Sequence, residues 1–273
     1  MLQQIYVGRF SPNLFGAFMN QRVEWGPKIQ EQFERQARWT RDFREQIYRK
    51  VGLKKTKRIL EVGCGTGVIT KELREKTSAE ITAIDHDKQM IELARRAVQD
   101  VEFLVEDAYN LTLKSNRYDL IFFQYFLLWA KNPSAALGEI TRVCKKGGKV
   151  IALAEPDYGS WIEYPEYGLG KYHRKSLEKE GADPDIGRKL LYLFEKSGLR
   201  TEISVIAQIW SQENLLSNIE EEWRRVLEAG LIDSTKFEER VKLEKKTILK
   251  NKRMIFIPVF YAIGKKNKKL VSK

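Results

Sequence analysis

The stretch Arg58–Lys71 reads RILEVGCGTGVITK and decides the fold of this chain. Its first residues are mainly apolar and long enough for a buried strand, and its last residues begin a helical pattern. Between them lie Gly63, Gly65 and Gly67, whose missing side chains let the backbone turn sharply and approach a ligand closely. A strand, a glycine turn and a helix in this order open a βαβ unit, which binds ligands beyond the carboxyl ends of its strands.

A carboxylate follows at the position where a nucleotide site needs one. Residues 79–85 (AEITAID) predict a second strand that ends in Asp85. A carboxylate there can accept hydrogen bonds from both ribose hydroxyls, so the pattern predicts an adenosine-like ligand. The dinucleotide pattern G-x-G-x-x-G would have its third glycine where this chain has Val68, one residue after Gly67. A plain glycine-rich turn and a nicotinamide or flavin Rossmann fold remain alternatives at this point.

Length and composition describe a globular protein. The chain has 273 residues, of which 42% are hydrophobic and 32% charged, which is enough to bury a core. The longest apolar run, Leu120–Ala130, is too short to span a bilayer, and residues 1–12 lack the pattern of a signal peptide. Cys64 and Cys144 alone build neither a disulfide framework nor a metal cluster. We therefore expect a cytoplasmic protein without a membrane span.

The net charge of +12 is concentrated at the end of the chain. Residues 241–273 carry eleven lysines and arginines against one acid. The rest of the chain is nearly neutral, which argues against a basic groove. We expect Lys265, Lys266, Lys268 and Lys269 to form a solvated tail, with a nucleic-acid contact as the alternative.

Apolar periodicity predicts the other elements. We expect further strands at 101–106, 118–123, 150–154, 201–209 and 254–263, and helices at 28–51, 68–76, 87–98, 134–145, 185–196 and 213–250. Gly147 and Gly148 are expected to cap the helix 134–145. Pro258 is expected to cause a bulge or an unpaired position in the last strand.

Two segments carry a resemblance to a known family. The motif E-V-G-C-G-T-G with its Asp-ended second strand resembles the class I S-adenosylmethionine (SAM) dependent methyltransferases, close to the ubiquinone and menaquinone enzymes of the methyltransferase type 11 group. The segment L-G-E-I-T-R-V-C-K-K-G-G-K-V-I resembles the family's helix and turn into strand five. The resemblance implies an α/β, Rossmann-like fold: a seven-stranded, mostly parallel sheet with an antiparallel last strand and helices on both faces.

The resemblance also implies a set of cofactor contacts for SAM. Asp107 would hydrogen-bond the adenine amino group, the backbone N–H of Ala108 would meet a ring nitrogen, and Met90 would cover the adenine face. For Asp107 the alternative is a turn or helix-cap residue, and for Met90 it is a core methionine. The full set is Glu61, Gly63, Cys64, Gly65, Gly67, Asp85, His86, Met90, Asp107, Ala108, Gln124 and Tyr125.

The loops after strands four and five are predicted to select the methyl acceptor. Adjacent parallel strands bring such loops to one edge of a sheet, and aromatic walls suit a compact, partly apolar or cationic molecule. Residues 150–170 contain no lysine or arginine, and the first loop lacks the Pro-Pro of base methyltransferases, so nucleic acid is disfavoured. The alternative is that the aromatic residues only pack an insertion. The candidate acceptor contacts are Trp129, Glu155, Asp157, Tyr158 and Trp161.

We expect two parts in the chain. Residues 1–50 would form an N-terminal helical extension, either packed on the sheet or acting as a lid through Gln36, Trp39, Thr40 and Arg41. Residues 51–273 would form the SAM-dependent methyltransferase domain, with insertions at about 159–184 and 211–250.

The expected function is methyl transfer from SAM to a small-molecule acceptor by in-line displacement. A sulfonium methyl is already activated, so holding the nucleophile in line is the main requirement. No metal site and no catalytic residue are predicted. Methylation of RNA or protein through the basic tail, SAM or nucleotide binding without turnover, and a nicotinamide dehydrogenase are the alternatives. The acceptor's identity, the need for a base and the oligomeric state stay open.

Overall fold

The computed structural model describes residues 25–267, with the side chains of residues 25–29 and 32 outside the description. The first 24 residues of the predicted N-terminal extension, and Lys268 and Lys269, therefore lie outside the described residues. The described residues divide into a larger unit (residues 25–155, 189–204 and 260–267) and a smaller unit (residues 156–188 and 205–259).

The described elements follow in chain order. The helices are α1 (Trp25–Trp39), α2 (Arg41–Val51), α3 (Val68–Lys76), α4 (Lys88–Ala97), α5 (Pro133–Val143), α6 (Leu169–Lys179), α7 (Ile186–Lys196), α8 (Gln212–Glu228) and α9 (Ser234–Leu249). The strands are β1 (Arg58–Val62), β2 (Glu80–Asp85), β3 (Glu102–Val105), β4 (Tyr118–Phe123), β5 (Cys144–Pro156), β6 (Ile162–Tyr164), β7 (Leu199–Ile206), β8 (Met254–Phe256) and β9 (Val259–Lys266). Short 3₁₀ turns cover Leu53–Lys55, Leu127–Trp129 and Tyr158–Ser160.

The larger unit is built around a seven-stranded sheet in the order β3-β2-β1-β4-β5-β9-β7. The strands from β3 to β5 pair in parallel, and β9 is the antiparallel strand of the sheet. Strands β1 and β4 are buried along nearly their whole length, as parallel strands between two layers of helices should be. The predicted α/β sheet with an antiparallel last strand is confirmed.

Apolar side chains hold helices against this sheet. Tyr48 of α2 is almost fully buried and meets the ring of Phe122 on β4 edge-on, with the ring centroids 5.7 Å apart. A second cluster joins α4 to β2 and β3 through Ile91, Ala83 and Phe103. Burying side chains of this size contributes about 1.5–3 kcal/mol each.

The N-terminal helical segment is broken, although one helix over 28–51 was expected from its periodicity. The helix α1 ends at Trp39 and α2 begins at Arg41, with Thr40 between them at φ −106°. The Arg44 guanidinium donates to the Ala37 carbonyl at 2.7 Å and to the Thr40 hydroxyl at 2.5 Å. Carbonyls at the end of a helix lack their intrahelical donors, and the arginine supplies one to Ala37 inside the protein.

The glycine cap expected after helix 134–145 is wrong. The helix α5 ends at Val143, and Gly147 and Gly148 lie inside β5. Gly147 has φ 81°, and a Cβ on Gly148 would come within 2.8 Å of the Asp119 carbonyl oxygen. The two glycines therefore form an irregularity in the ladder between β4 and β5, where the register shifts.

The strand expected at 254–263 is two strands with different partners. β8 pairs antiparallel with β6, whereas β9 lies in the main sheet. Pro258 separates them and has no N–H to donate to a ladder; its carbonyl accepts the Asp157 N–H at 2.9 Å. The helix expected at 213–250 is also divided, because the chain turns after α8 through Gly230 at φ 65°.

Both segments predicted as insertions belong to the smaller unit. The smaller unit contains the two-stranded sheet of β6 and β8 and the helices α6, α8 and α9. Trp223 is fully buried and donates its indole N–H to Glu244 at 3.2 Å, and Arg253 bonds both Glu244 and Glu163 at 2.5 Å. These buried charges are paired, as burial requires. Within residues 25–267, no helix is long and apolar enough to cross a membrane.

Lys266 belongs to β9, so the expected solvated tail is wrong for this residue. Its ammonium donates to the carbonyls of Thr141 and Cys144 at 2.6 and 2.8 Å, and to the side-chain oxygen of Asn116 at 3.1 Å. A cation at this place satisfies carbonyls near the C-terminal end of α5 and suits the negative end of the helix dipole. Lys265 is exposed.

Candidate functional site

The glycine turn after β1 forms a cradle in the larger unit. Gly63 and Gly65 have φ values of 70° and 53°, in the left-handed region that side chains disfavour. The N–H groups of Gly63 and Cys64 both donate to the Ile84 carbonyl, at 2.8 and 3.0 Å. A Cβ on Gly63 would come within 3.0 Å of the Phe126 ring. The turn is therefore tied to β2 and closely approached by the loop after β4.

Asp85 joins the first two strand ends. Its carboxylate is 3% exposed and accepts the N–H of Gly65 at 2.8 Å and that of Asp87 at 3.1 Å. The exposed His86 places Nδ1 3.5 Å from the same carboxylate. A carboxylate at the end of the second strand is the type of acceptor that ribose hydroxyls need. Asp87 caps α4 by accepting from the Gln89 N–H at 2.7 Å.

Glu61 lies beneath the cradle as a buried carboxyl. It accepts the Thr70 hydroxyl at 2.6 Å. Burial raises the pKa of Glu61 to about 8, although the Thr70 bond acts in the opposite direction. The fully buried Thr66 hydroxyl in the same turn has no hydrogen-bond partner among the described residues, so the cradle contains a polar group that a ligand could satisfy.

Gly67 serves packing in this structure. It has φ 84° at the start of α3, and a Cβ there would come within 3.1 Å of the Ala94 Cβ on α4. Helices α3 and α4 can approach this closely only with glycine at the position.

The two residues after β3 have a more ordinary geometry. The exposed Asp107 accepts the Tyr109 N–H at 2.9 Å through its side chain, which is the turn contact that was the alternative for this residue. Ala108 is half-buried, and Met90 on α4 is 3% exposed. The turn bond of Asp107 uses one of its two carboxylate oxygens, so the residue keeps acceptor capacity towards an adenine.

The loop after β4 is held in an unusual conformation. Tyr125 has φ 50°, a left-handed value that is rare for an aromatic residue. Its N–H donates to the Ala154 carbonyl at 2.9 Å. The fully buried Glu155 accepts the N–H groups of Phe126, Leu127 and Leu128 at 2.8–3.1 Å. Such strain persists where surrounding contacts impose it, and it clusters at functional sites.

Glu155 is buried, and its carboxylate is bonded to the loop after β4. This geometry supports a role in holding that loop, in place of the expected contact with an acceptor. The two Glu155 oxygens accept the free N–H groups at the start of the Leu127–Trp129 turn, a position that favours a negative charge. Trp129, at the end of this turn, is partly exposed.

Arg44 is a site residue that sequence reasoning missed. Its guanidinium is 1% exposed and forms two bonds with Glu72 of α3, at 3.0 and 2.6 Å, besides those at the break before α2. It also reaches the side-chain oxygen of Gln124 at 3.5 Å. The arginine thus connects α2 to the loop after β4. Its position on the buried stripe between Thr40 and Ile47 is the signal that could have identified it.

Asp157 lies in the smaller unit and is paired within it. Its carboxylate is 1% exposed and accepts two hydrogen bonds from Arg188, at 2.7 and 2.6 Å. Bidentate pairs of this kind are among the strong interactions of proteins. The geometry thus supports a structural role for Asp157, in place of the expected contact with an acceptor.

Tyr158 and Trp161 form an aromatic cluster with His173. The Tyr158 and Trp161 rings stack with their centroids 6.4 Å apart. The centroid of the His173 ring lies 4.8 Å from that of Tyr158 and 5.5 Å from that of Trp161. A Cβ on Gly170 would come within 2.5 Å of the Trp161 ring, so α6 is shaped to admit the indole. The Trp161 indole N–H is buried and has no hydrogen-bond partner among the described residues.

His173 is a buried, neutral base in this cluster. Its side chain is 5% exposed, and Nδ1 lies 3.3 Å from a Glu222 oxygen. Burial lowers the pKa of His173 to about 4, although Glu222 favours the charged form. This histidine was not predicted as a site residue, and nothing in its sequence context distinguishes it.

The cradle of the larger unit fits SAM. It offers left-handed glycine backbone at Gly63 and Gly65, the buried carboxylate of Asp85, and the unsatisfied Thr66 hydroxyl. These groups come from the ends of β1 and β2, where open α/β sheets bind their ligands. No group of three or more metal-ligating side chains occurs within residues 25–267.

Known proteins resemble this chain in sequence. A family model described as a methyltransferase domain matches residues 60–152. A demethylmenaquinone methyltransferase of Renibacterium salmoninarum is 29% identical over 131 residues, covering 47% of this chain and 55% of that protein. An uncharacterized methyltransferase of Schizosaccharomyces pombe is 30% identical over 153 residues, covering 50% and 55%. The chain spans about half the length of these curated relatives.

Solved structures share the fold. A SAM-dependent methyltransferase of Thermotoga maritima has a TM-score of 0.55 at 21% identity, covering 93% of this chain and 99% of that one. The phosphoethanolamine N-methyltransferase 2 of Haemonchus contortus has a TM-score of 0.53 at 14% identity, covering 84% and 53%. Three features point to the same family: the glycine cradle, the strand order with its antiparallel strand, and the matched methyltransferase domain. The matched methyltransferase domain and the shared fold support a class I S-adenosylmethionine-dependent methyltransferase.

Proposed function

We propose that this protein transfers the methyl group of SAM to a small-molecule acceptor. The observation that carries the proposal is the cradle between β1 and β2, in which the Asp85 carboxylate holds the Gly65 N–H beside left-handed glycines. When bound, SAM supplies a methyl group that its sulfonium already activates for in-line displacement. The protein's part is then to bind and orient the reactants and to exclude water.

The cofactor residues proposed from the larger unit divide into two kinds. Asp85 and Asp107 would accept hydrogen bonds from the ribose and the adenine, with Ala108 and Met90 beside the base. Gln124 and Tyr125 would lie at the methionine part, in a loop that Arg44 and Glu155 hold in position. The strained Tyr125 supports this assignment, because such strain persists only where surrounding contacts impose it and is common at ligand sites.

The acceptor is proposed to be small and to be recognised by the aromatic cluster of the smaller unit. Tyr158 and Trp161 stack on each other, and the buried indole N–H of Trp161 lacks a partner among the residues described. An acceptor with an oxygen atom could satisfy this donor. Several relatives are named demethylmenaquinone methyltransferase, which supports a small-molecule acceptor.

Two other functions remain to be distinguished by experiment. Methylation of RNA or protein through the basic C-terminal end has lost one of its arguments, since Lys266 is engaged with carbonyls of its own unit. Binding of SAM without turnover predicts affinity for SAM and no labelled product in any fraction.

Cofactor binding is tested first, by calorimetry with SAM. Asp85→Ala should weaken binding about ten- to a hundredfold, the loss expected for a buried polar contact of roughly 1–3 kcal/mol. Asp87→Ala is the matched control, because it removes the cap of α4 and leaves the cradle carboxylate in place. Equal affinities of the two variants would remove Asp85 from the site.

The acceptor class is tested with methyl-labelled SAM and a fractionated cell extract. Label should enter the small-molecule fraction. Tyr158→Ala should abolish this transfer while SAM binding persists, whereas Tyr164→Ala, an exposed tyrosine of the same unit, should leave it unchanged. Label confined to RNA or protein would contradict a small acceptor.

A further inference from the structure

The smaller unit contains a pocket that the proposed function does not use. The pocket has a volume of about 300 Å³ and lies between the start of α6 and one side chain of α9. This volume is at the lower end of the range for small-molecule sites. Its walls include Glu166, Tyr167, Lys171, Tyr172, Lys175 and Arg240.

Positive charge outweighs negative charge around this pocket. Lys171, Lys175 and Arg240 line it together with a single acid, Glu166, which pairs with Lys171 at 2.6 Å. Lys171 and Lys175 are one helical turn apart on α6, where like charges destabilise a helix. Gathering these cations around one concave surface therefore has an electrostatic cost, which a bound anion would offset.

Arg240 is an exception among the arginines of the smaller unit. Within the described part of that unit, every other arginine has a carboxylate partner within 4 Å, and Arg240 has none. The paired ones are Arg174, Arg188, Arg224, Arg225 and Arg253. Arg240 instead lies over the Trp223 ring, 5.9 Å from its centroid. Lys175 is exposed and likewise lacks a carboxylate partner among the residues described.

The remaining walls of the pocket are aromatic. Tyr167 and Tyr172 line it, and the Tyr167 hydroxyl is bonded to Thr247 at 2.8 Å, which orients that ring. Tyr172 packs against Trp223 at 5.9 Å. Fixed aromatic rings next to cations offer a surface on which a planar group can stack while a negatively charged group of the same ligand meets the cations.

From the unpaired guanidinium, the surplus of cations and the two rings, we infer that this pocket binds a small molecule that combines a phosphate group with a planar ring. A guanidinium matches the oxygens of a phosphate with two parallel hydrogen bonds. Lys175 adds a second charge, and a ring of the ligand stacks on tyrosine. The site is separate from the aromatic cluster around His173 in its residues and in its ligand chemistry.

Phenyl phosphate is the probe for this site, because it carries the phosphate and the ring without resembling SAM. Binding to the full chain is measured by calorimetry at low ionic strength. Phenyl phosphate should bind more tightly than inorganic phosphate, and phenol most weakly. Added salt should weaken the binding of both anions, since the attraction at an open pocket is screened.

Two double variants with the same change of charge separate the pocket from general electrostatics. Lys175→Gln/Arg240→Gln removes both unpaired cations, and about a tenfold or greater loss of affinity for phenyl phosphate is expected. Lys242→Gln/Lys246→Gln changes two exposed lysines of the same helix, α9, and should bind like the unmodified protein. Since Arg240 packs on Trp223, Lys175→Gln alone provides a variant that leaves this contact intact.

Three results would overturn the inference. The first is no saturable binding of phenyl phosphate by the unmodified protein. The second is equal loss of affinity in the two double variants. The third is a single-stranded RNA oligonucleotide that binds through Lys175 and Arg240 while phenyl phosphate does not, which would assign the pocket to nucleic acid.

Discussion

Gly67→Ala tests whether the third glycine is needed for packing or only for its backbone angle. Gly67 has φ 84° at the start of α3, and a Cβ would come within 3.1 Å of the Ala94 Cβ and 3.3 Å of its Cα. The helix backbone cannot rotate away as a side chain would. Gly52, between α2 and β1, has nearly the same φ of 80° and no atom within 4 Å of an added Cβ, so Gly52→Ala is a matched control.

The two substitutions share one energetic term and differ in the other. Alanine in the left-handed region costs about 1–2 kcal/mol, and the reduced entropy of the unfolded chain returns about 0.4–1 kcal/mol. Gly52→Ala should therefore lower the free energy of unfolding by roughly 1 kcal/mol. Gly67→Ala adds the cost of overpacking, about 1–3 kcal/mol, which brings its total to about 2–4 kcal/mol.

Both glycines belong to the larger unit, so urea unfolding followed by far-ultraviolet circular dichroism compares them on one transition. Ala94→Gly in the Gly67→Ala background should recover part of the loss, because it removes the atom nearest to the new methyl group; a double-mutant cycle measures this coupling. Equal destabilisation by Gly67→Ala and Gly52→Ala, or zero coupling with Ala94→Gly, would refute the packing argument.

Three further predictions concern titratable side chains that are buried or partly buried. Glu61 has a folded pKa of about 8, above its ordinary value of 4.5, so the free energy of unfolding should fall as pH rises from 4.5 through 8, by at most about 1.4 kcal/mol per pH unit. Glu61→Gln keeps an acceptor for Thr70 and should flatten this part of the profile of unfolding free energy against pH. An unchanged slope would contradict the assignment. The pKa of His173 lies at about 4, below its ordinary 6.5, with Glu222 and Arg225 as the charged groups next to the ring. Stability should therefore be lost as pH falls from 6.5 to 4. Thermal melts of His173→Gln should depend less on acid pH than those of the unmodified protein. Lys266→Met should lower the free energy of unfolding by about 1–3 kcal/mol, because carbonyls at the end of α5 lose their donor. Lys265→Met is the control and should change this free energy by less than about 0.5 kcal/mol. Equal effects of the two variants in chemical denaturation would favour a solvated tail.

The corrections to the expected elements share one physical cause. Periodicity identifies which residues are apolar, and it does not register where a chain changes partner. Residues 254–263 have the composition of one strand, and only the pairing of β8 with β6 and of β9 with the main sheet divides them. The break at Thr40 likewise depends on Arg44 and its acceptors across the chain.

The site residues divide in the same way. Asp85 and the glycines could be predicted because a strand, a turn and a helix are local, and their spacing alone brings a carboxylate to the neighbouring strand end. Glu155 and Asp157 were expected at an acceptor because they follow strand five, whose loop should meet the loop after strand four at the ligand-binding edge of the sheet. Their actual partners, three backbone N–H groups of another loop and the guanidinium of Arg188, are 27 to 31 residues away in sequence.

By itself, the sequence determined the class of the protein: buried parallel strands, a glycine cradle, the position of Asp85, and through these the methyltransferase family. These features depend on contacts between residues near each other in the chain or on regular strand spacing, which a pattern records. Only the tertiary structure decided that Glu155 positions a loop, that Lys266 caps a helix, and that Arg240 stands without a carboxylate beside two tyrosines. Such roles depend on which distant groups a side chain meets, because charge and hydrogen-bonding capacity acquire a function only from their partners.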